Sequence, residues 1–265
     1  MEDVAKLVND ILNFHGDIKK SALTNPTAFR PSPTDLSCHN TNNGWLLALQ
    51  IDEAFLRSAL LRLCAMEKAA IPGKAMEIER FAEAIRGGRV DGRSLQQAIL
   101  MRSDFFQQLQ SQFGVDSELM YTISLNSLRP IFAASLEKSE MTSEGKNQHG
   151  KGCPFCGAMP AMARIENKSG NRKLWCSVCN QEWYFKRIQC PFCLNEDQET
   201  LDYFFLDDGK SYRVDVCRVC NDYIKTVLSN DFDLEEVDFL LADIDTSYLD
   251  LLAKQEGFMK LIQGE

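Results

Sequence analysis

The C-terminal half of the chain contains the sequence Cys153-Pro154-Phe155-Cys156, and its C-x-x-C spacing returns three times further along. The four pairs are Cys153 and Cys156, Cys176 and Cys179, Cys190 and Cys193, and Cys217 and Cys220. A C-x-x-C turn directs two thiolates toward one ion, and a second such turn completes a tetrahedral site. The pattern predicts two metal ions per chain, each held by four cysteines.

The spacing between the pairs favours one way of combining them. Nineteen residues separate Cys156 from Cys176, and 23 separate Cys193 from Cys217, which in each case is room for one β-hairpin. Only ten residues separate Cys179 from Cys190, and they predict a single strand that leads away from the first site. We therefore expect each pair to join the next one along the chain, rather than a crossed arrangement of outer and inner pairs.

A metal ion is also what so small a module needs in order to fold. A ribbon of about 35 residues cannot bury a sufficient core, so the ion must contribute free energy of folding on the order of 10 kcal/mol. Thioredoxin-like redox proteins also contain C-x-x-C, but they need only one such motif, placed between a strand and a helix. Four C-x-x-C pairs at the spacing of a metal ribbon therefore favour metal binding. Zinc and a rubredoxin-type iron both accept four thiolates, so the choice between Fe and Zn stays open. A closed site offers substrate no free position, so we expect no catalysis there.

Residues around the cysteine pairs alternate between apolar and polar, which is typical of β-strands. Strands are expected near 161–166, up to Trp175, and at 182–188, 201–206, 212–216 and 223–228. Each C-x-x-C turn is called a knuckle below. The order of knuckle, hairpin, knuckle and strand occurs twice along the chain, which indicates an internal repeat. We therefore predict a first four-cysteine ribbon at 153–188 and a second at 189–230, followed by a helical tail at 231–265.

The N-terminal half has a different pattern. Apolar residues recur there at three- and four-residue spacing, as in the series Leu95, Ala98, Ile99, Phe106 and Leu109. Residues 1–140 are therefore predicted to form an α-helical domain, with 45–66 as its central helix and Pro130 kinking or ending a later one. A polar, glycine-bearing stretch at 141–152 is typical of a linker, and His149 within it reads as a solvated loop residue. The predicted class is α+β: an all-α bundle, two small β modules and a C-terminal helix.

Charge and hydropathy limit the partners and the compartment. The net charge of −9 and a pI near 5.0 argue against general binding to nucleic acid, because that affinity comes from lysine and arginine. A local basic face in the first ribbon keeps a nucleic-acid module as a minor alternative; it comprises Lys168, Arg172, Lys173, Lys186 and Arg187. No apolar run reaches the roughly 18 to 20 residues that span a bilayer, and the first residues are acidic. We expect a cytoplasmic protein without membrane insertion.

Two cysteines lie outside the four pairs. Cys38 precedes His39 in the segment 24–43, which contains three prolines and predicts no definite structure. Cys64 falls on an apolar helix, where a buried cysteine commonly behaves as a small hydrophobic residue. The ligand set predicted for metal therefore consists of the eight paired cysteines alone.

Several longer motifs occur in a fixed order through the C-terminal half. They are Cys153-Pro154-Phe155-Cys156-Gly157, Leu174-Trp175-Cys176-Ser177-Val178-Cys179, Cys217-Arg218-Val219-Cys220-Asn221-Asp222-Tyr223 and Gln255-Glu256-Gly257-Phe258. In this order the motifs resemble the FdhE family, the formate dehydrogenase accessory proteins, over residues 153–260. In the helical half the resemblance rests on Gly88-Arg89-Val90-Asp91 and the helices after it.

The resemblance implies a cytoplasmic maturation factor with a helical N-terminal domain and two rubredoxin-like or zinc-ribbon subdomains. Such a factor binds the catalytic subunit of a respiratory formate dehydrogenase before twin-arginine export, and iron is associated with the family's cysteine pairs. The expected role is that of a metal-binding assembly chaperone rather than an enzyme, with homodimer formation left open. The alternative is a rubredoxin-like iron protein that transfers electrons.

Overall fold

The computed structural model describes residues 2–30, 44–101, 103–139, 151–166, 169–205, 211–228 and 238–260. The chain divides into two compact units, Met1–Met141 and Thr142–Glu265. The first unit is helical and the second is built on a β-sheet followed by helices, so the predicted α+β class is confirmed. Cys38, His39, His149 and most of the predicted linker lie outside the described residues, and the finer domain boundaries stay predictions.

The first unit is organised around its last helix. Its helices are α1 (Glu2–Thr24), α2 (Gly44–Ala48), α3 (Glu53–Ala70), α4 (Ala75–Arg86), α5 (Gly92–Met101), α6 (Phe105–Phe113) and α7 (Ser117–Lys138). Helices α1, α3, α4, α5 and α6 all contact α7, which is buried along most of its length. A helix that is surrounded by other helices belongs in the core of a bundle, and α7 occupies that place here.

The apolar run at 45–66 is not the single central helix that was predicted. It is divided between α2 and α3 by the strand β2 (Gln50–Ile51), which pairs with β1 (Phe29–Arg30). Asp52 then begins α3, because its side chain accepts a hydrogen bond from the Phe55 amide at 2.8 Å. A strong N-cap after an extended residue starts a new helix, whatever the hydropathy on either side.

Helix α7 does not end at Pro130, although a proline inside a helix removes one backbone donor. The carbonyl left without that donor belongs to Asn126, four residues earlier. His15 of α1 forms a hydrogen bond to the Asn126 backbone. Burial and the nearby Arg129 lower the pKa of His15 to about 3, so the imidazole is neutral at pH 7. A neutral side chain from α1 thus stabilises α7 at its proline.

The second unit contains one continuous sheet, to which both predicted four-cysteine ribbons contribute three strands each. Its strands are β3 (Met162–Ile165), β4 (Arg172–Trp175), β5 (Glu182–Phe185), β6 (Leu201–Phe204), β7 (Tyr212–Cys217) and β8 (Asp222–Leu228). They lie in the order β5-β4-β3-β8-β7-β6. All neighbours are antiparallel except β3 and β8, which pair in parallel with Met162 opposite Lys225. This parallel pairing fuses the two cysteine modules.

The two faces of the sheet differ in what packs on them and in the side chains they carry. Side chains on a strand alternate between faces, and residues opposite one another on neighbouring strands share a face. One face packs on α8 (Phe239–Asp245) and α9 (Ser247–Gln255), and Trp175 stacks on Phe239 with ring centroids 5.5 Å apart. The core under these helices includes Met162, Val227, Val214, Val216, Tyr223, Leu249 and Phe258. The other face carries Arg172, Arg213 and Asp215.

Candidate metal centres

The first cluster brings together Cys153, Cys156, Cys176 and Cys179, which are all buried. Their sulfurs lie within 4.8 Å of one another, with Cys153 Sγ 3.5 Å from Cys179 Sγ and Cys156 Sγ 3.4 Å from Cys176 Sγ. Metal–sulfur bonds of about 2.3 Å in a tetrahedron would separate the sulfurs by about 3.8 Å. The spacing therefore suits one ion, and it is far longer than the roughly 2 Å of a disulfide.

The second cluster has the same plan and a more open setting. Cys190 Sγ lies 3.6 Å from Cys220 Sγ, and Cys193 Sγ lies 3.7 Å from Cys217 Sγ. Cys190 and Cys217 are buried, whereas Cys193 and Cys220 are partly exposed. The structure thus groups the eight predicted residues by consecutive pairs, and each group could hold one metal ion. That they do bind metal stays a prediction.

Each C-x-x-C knuckle closes in the same way. The residue after its second cysteine has a positive φ: Gly157 at 75°, Asn180 at 58°, Leu194 at 67° and Asn221 at 58°. Glycine and asparagine tolerate this left-handed conformation, so the knuckle turns are encoded in the sequence at three of the four positions. In the first knuckle the turn also lets the Gly157 amide donate to the Cys153 carbonyl at 2.8 Å.

The donor set fits a thiophilic cation. Burial raises the pKa of the Cys153 thiol well above its usual value, and it raises that of Cys190 to about 12. Hydrogen bonds from neighbouring groups, including other cysteine thiols, lower the pKa of Cys176 and of Cys217. Without a cation the four thiols of a cluster therefore do not all ionise, and a bound cation favours thiolates outright. All nine cysteines in the described part of the chain are free thiols. Four converging thiols suit zinc or iron equally well, so the kind of metal stays open.

Sequence reasoning missed one polar side chain beside the second cluster. Asn195, just after the third knuckle, has its amide Nδ2 3.8 Å from Cys217 Sγ and 2.7 Å from the Thr200 hydroxyl. An N–H group aimed at a ligand sulfur orients that ligand and lowers the charge density on it. No spacing rule identifies such a residue; its contact with Cys217 arises only when β6 and β7 pair.

A charged group buried under the sheet was also missed. Lys225 on β8 is 0% exposed, and its ammonium donates to the Asp250 carboxylate at 2.8 Å and to the Asp243 carbonyl at 2.7 Å. Tyr223 donates its hydroxyl proton to the same Asp250 at 2.8 Å. A buried ammonium requires such partners. These contacts fasten α8 and α9 to the strand that ends the second module.

Comparison with known proteins agrees with this geometry. Residues 152–187 match the family model described as "FdhE, central domain". A "Protein FdhE homolog" from Aquifex aeolicus (strain VF5) is 32% identical over 153 residues, which is 56% of this chain and 52% of that protein. "Protein FdhE" from Escherichia coli (strain K12 / DH10B) is 32% identical over 111 residues, 41% of this chain and 35% of that protein.

This chain is similar to the FdhE proteins over part of its length. The predicted resemblance to the FdhE family is thereby confirmed. The crystal structure of the FdhE protein from Pseudomonas aeruginosa also matches, with a TM-score of 0.59 over 94% of this chain and 87% of that one. At 20% identity this match shows that the fold is shared. The chain spans about a third to a half of the length of the curated FdhE relatives it matches.

The length and composition of the helices bear on membrane insertion. Within the described ranges, no helix has both the length and the apolar character needed to cross a bilayer. The longest helices, α1 and α7, carry charged residues along their length.

Proposed function

We propose that this chain is a cytoplasmic formate dehydrogenase accessory protein. It binds the catalytic subunit of a respiratory formate dehydrogenase before twin-arginine export, and acts as an assembly chaperone rather than as an enzyme. The observation that carries the proposal is the match of residues 152–187, which contain the first four-cysteine group, to the FdhE central domain, together with the similarity to FdhE proteins over 153 residues.

The chemistry of the clusters supports a structural role for the metal. Four thiolates around one ion leave no open position for water or substrate, so the ion serves folding rather than turnover. The ions would hold the fused sheet and the helices packed on it in one conformation. A rigid surface binds with less loss of conformational entropy than a mobile one, which suits a protein that recognises a partner.

A pull-down with a formate dehydrogenase catalytic subunit tests this proposal. The tagged chain and a catalytic subunit with its signal peptide are expressed together without air. Cys176→Ser removes a cluster ligand, and Cys64→Ser makes the same chemical change at a buried cysteine of α3 outside both clusters. We expect the parent chain and Cys64→Ser to retain the subunit and Cys176→Ser to lose it. A well-folded parent chain that retains no subunit would contradict the proposal.

A second function is favoured by one observation. Cys193 and Cys220 of the second cluster are partly exposed, and an exposed cluster with iron could exchange electrons as a rubredoxin does. Optical spectra of protein purified without air decide between the two roles. Reversible iron absorption at the second cluster supports electron transfer, and two zinc ions per chain without such absorption exclude it.

A further inference from the structure

Arg172 of β4 is a cation of the first module that is buried against the second module. The residue is only 4% exposed. Its Nη1 donates to the Gln189 carbonyl at 2.9 Å, and its Nη2 lies 3.6 Å from the Asp215 carboxylate of β7. Strands β3 and β8 lie between β4 and β7 in the sheet. The parallel pairing of β3 with β8 therefore brings Arg172 into contact with the second module.

The charge of Arg172 is only partly offset by Asp215. Arg213 Nε lies 2.7 Å from the same carboxylate, which is closer than Arg172. The Thr226 hydroxyl donates to this carboxylate at 2.6 Å. One negative charge thus serves two guanidinium groups, and Arg172 has the longer contact. Because a buried charge is costly unless it is paired, Arg172 requires a further source of negative charge.

The second cysteine cluster offers such a source. Gln189 directly precedes Cys190, and Arg172 borders the same cavity as Cys190 and Cys217. Burial lowers the pKa of Arg172, and the charges of Asp215 and Cys190 raise it. A divalent ion with four thiolates carries two negative charges in excess. A cation buried beside such a group stabilises it, because a protein interior screens charge less than water does.

We propose that Arg172 is a positioning residue of the second metal site. Its charge offsets the excess negative charge of the metal–thiolate group, and its hydrogen bond to the Gln189 carbonyl holds the backbone that leads into Cys190. The first module therefore contributes to the metal affinity of the second. The proposal rests on metal binding by the second cluster and does not depend on whether the chain binds formate dehydrogenase.

The alternative role for Arg172 is an ordinary buried ion pair with Asp215. The two roles predict different results when the carboxylate is neutralised. Loss of either partner breaks a structural ion pair, so neutral residues at 172 and at 215 would then loosen the module alike. If Arg172 serves the thiolates, a neutral residue 215 leaves more of the arginine's charge to the metal site, and metal binding does not weaken.

Chelator competition on the full-length, zinc-loaded protein tests the proposal. The ion of the first cluster is the internal reference, and Cys193→Ser identifies the step that belongs to the second cluster. Arg172→Met removes the charge and the hydrogen bond, and should weaken zinc affinity at the second cluster about tenfold while the first cluster is unchanged. Arg172→Lys keeps a positive charge and should retain most of that affinity.

Two further variants separate the metal site from general stability. Asp215→Asn removes the shared carboxylate charge with almost no change in shape, and the second cluster should bind zinc at least as tightly as in the parent. Arg164→Met is the matched control, because Arg164 is another little-exposed arginine of the first module. It pairs with Glu182 at 2.7 Å and does not border the cavity beside Cys190. This control should leave zinc affinity at the second cluster unchanged.

Equal weakening of zinc binding by Arg172→Met and Asp215→Asn would show a structural ion pair and overturn the proposal. So would an Arg172→Met protein that binds zinc at both clusters as tightly as the parent, or a parent chain that binds no zinc at the second cluster. If Arg172→Met does not fold, Asp215→Asn decides: weaker zinc binding than in the parent overturns the proposal, and equal or tighter binding supports it.

Discussion

The two four-cysteine clusters have the same ligands and different surroundings. In the first, all four cysteines are buried; in the second, Cys193 and Cys220 are partly exposed. The corresponding valines show the contrast most clearly: Val178 of Cys-Ser-Val-Cys is 3% exposed, whereas Val219 of Cys-Arg-Val-Cys is 59% exposed. Cysteine spacing thus determines which thiols meet, while access of solvent to them depends on what packs around each knuckle.

The largest effect is expected at the buried cluster. Cys176→Ser should lose one ion per chain and destabilise the sheet unit, because it loses free energy of metal binding that is on the order of 10 kcal/mol for a structural zinc site. The helical unit should keep its far-UV signal. Since β3 pairs with β8, hydrogen exchange should speed up in the strands of both modules. Cys193→Ser in the second cluster should have a smaller effect, because Cys193 is partly exposed. A Cys176→Ser protein that keeps two ions would contradict the ligand set.

A smaller effect is expected where the second module meets the C-terminal helices. Lys225→Met leaves Asp243 and Asp250 without their buried cation and should cost about 3–5 kcal/mol in urea unfolding. Lys260→Met is the control, because Lys260 lies 3.8 Å from the same Asp250 but is partly exposed. A Lys225→Met protein as stable as the control would show that the network does not fasten α8 and α9.

In the helical unit, the free energy of unfolding should depend on pH through one buried carboxyl group. This effect should leave both cysteine clusters unchanged. Burial raises the pKa of Glu67 to about 7, from about 4.5 in the unfolded chain. The folded state therefore binds the extra proton, and stability is lost as pH rises from 4.5 to 7. Glu67→Gln should match the parent near pH 4 and exceed it by about 3 kcal/mol at pH 8. If the difference in free energy of unfolding between Glu67→Gln and the parent stays constant from pH 4 to pH 8, burial does not raise the pKa of Glu67.

The smallest effect concerns the rate of metal loss. A chelator should remove the ion of the second cluster about tenfold faster than that of the first, because partly exposed sulfurs are attacked without prior opening of the sheet. Stopped-flow metal release on the parent chain and on Cys193→Ser assigns the phases. Removal of both ions in one phase at one rate would mean that the difference in exposure has no kinetic consequence.

Local patterns in the sequence predict much of this molecule. The six strands lie within or close to the predicted ranges because each is flanked by a knuckle or a turn, and period-two alternation identifies them. The four C-x-x-C pairs are equally local. Gly157, Asn180 and Asn221 follow their knuckles because those residues accept a positive φ.

What the sequence did not predict depends on long-range contacts. Parallel pairing of β3 with β8 joins residues more than 60 positions apart, so no window of the sequence contains it. Helix α7 continues past Pro130 with a hydrogen bond supplied by α1, and α3 begins at a cap inside an apolar run. Burial of Lys225 needs two carboxylates from the C-terminal helices, which no local rule places beside β8.

Metal analysis with X-ray absorption on protein purified without air tests the central claim most directly. We predict two ions per chain, each with four sulfur neighbours at about 2.3 Å and no nitrogen or oxygen in the first coordination shell. Fewer than two ions in well-folded protein, lighter ligands around the metal, or cysteines joined as disulfides would contradict the assignment of Cys153, Cys156, Cys176 and Cys179 to one ion and of Cys190, Cys193, Cys217 and Cys220 to the other.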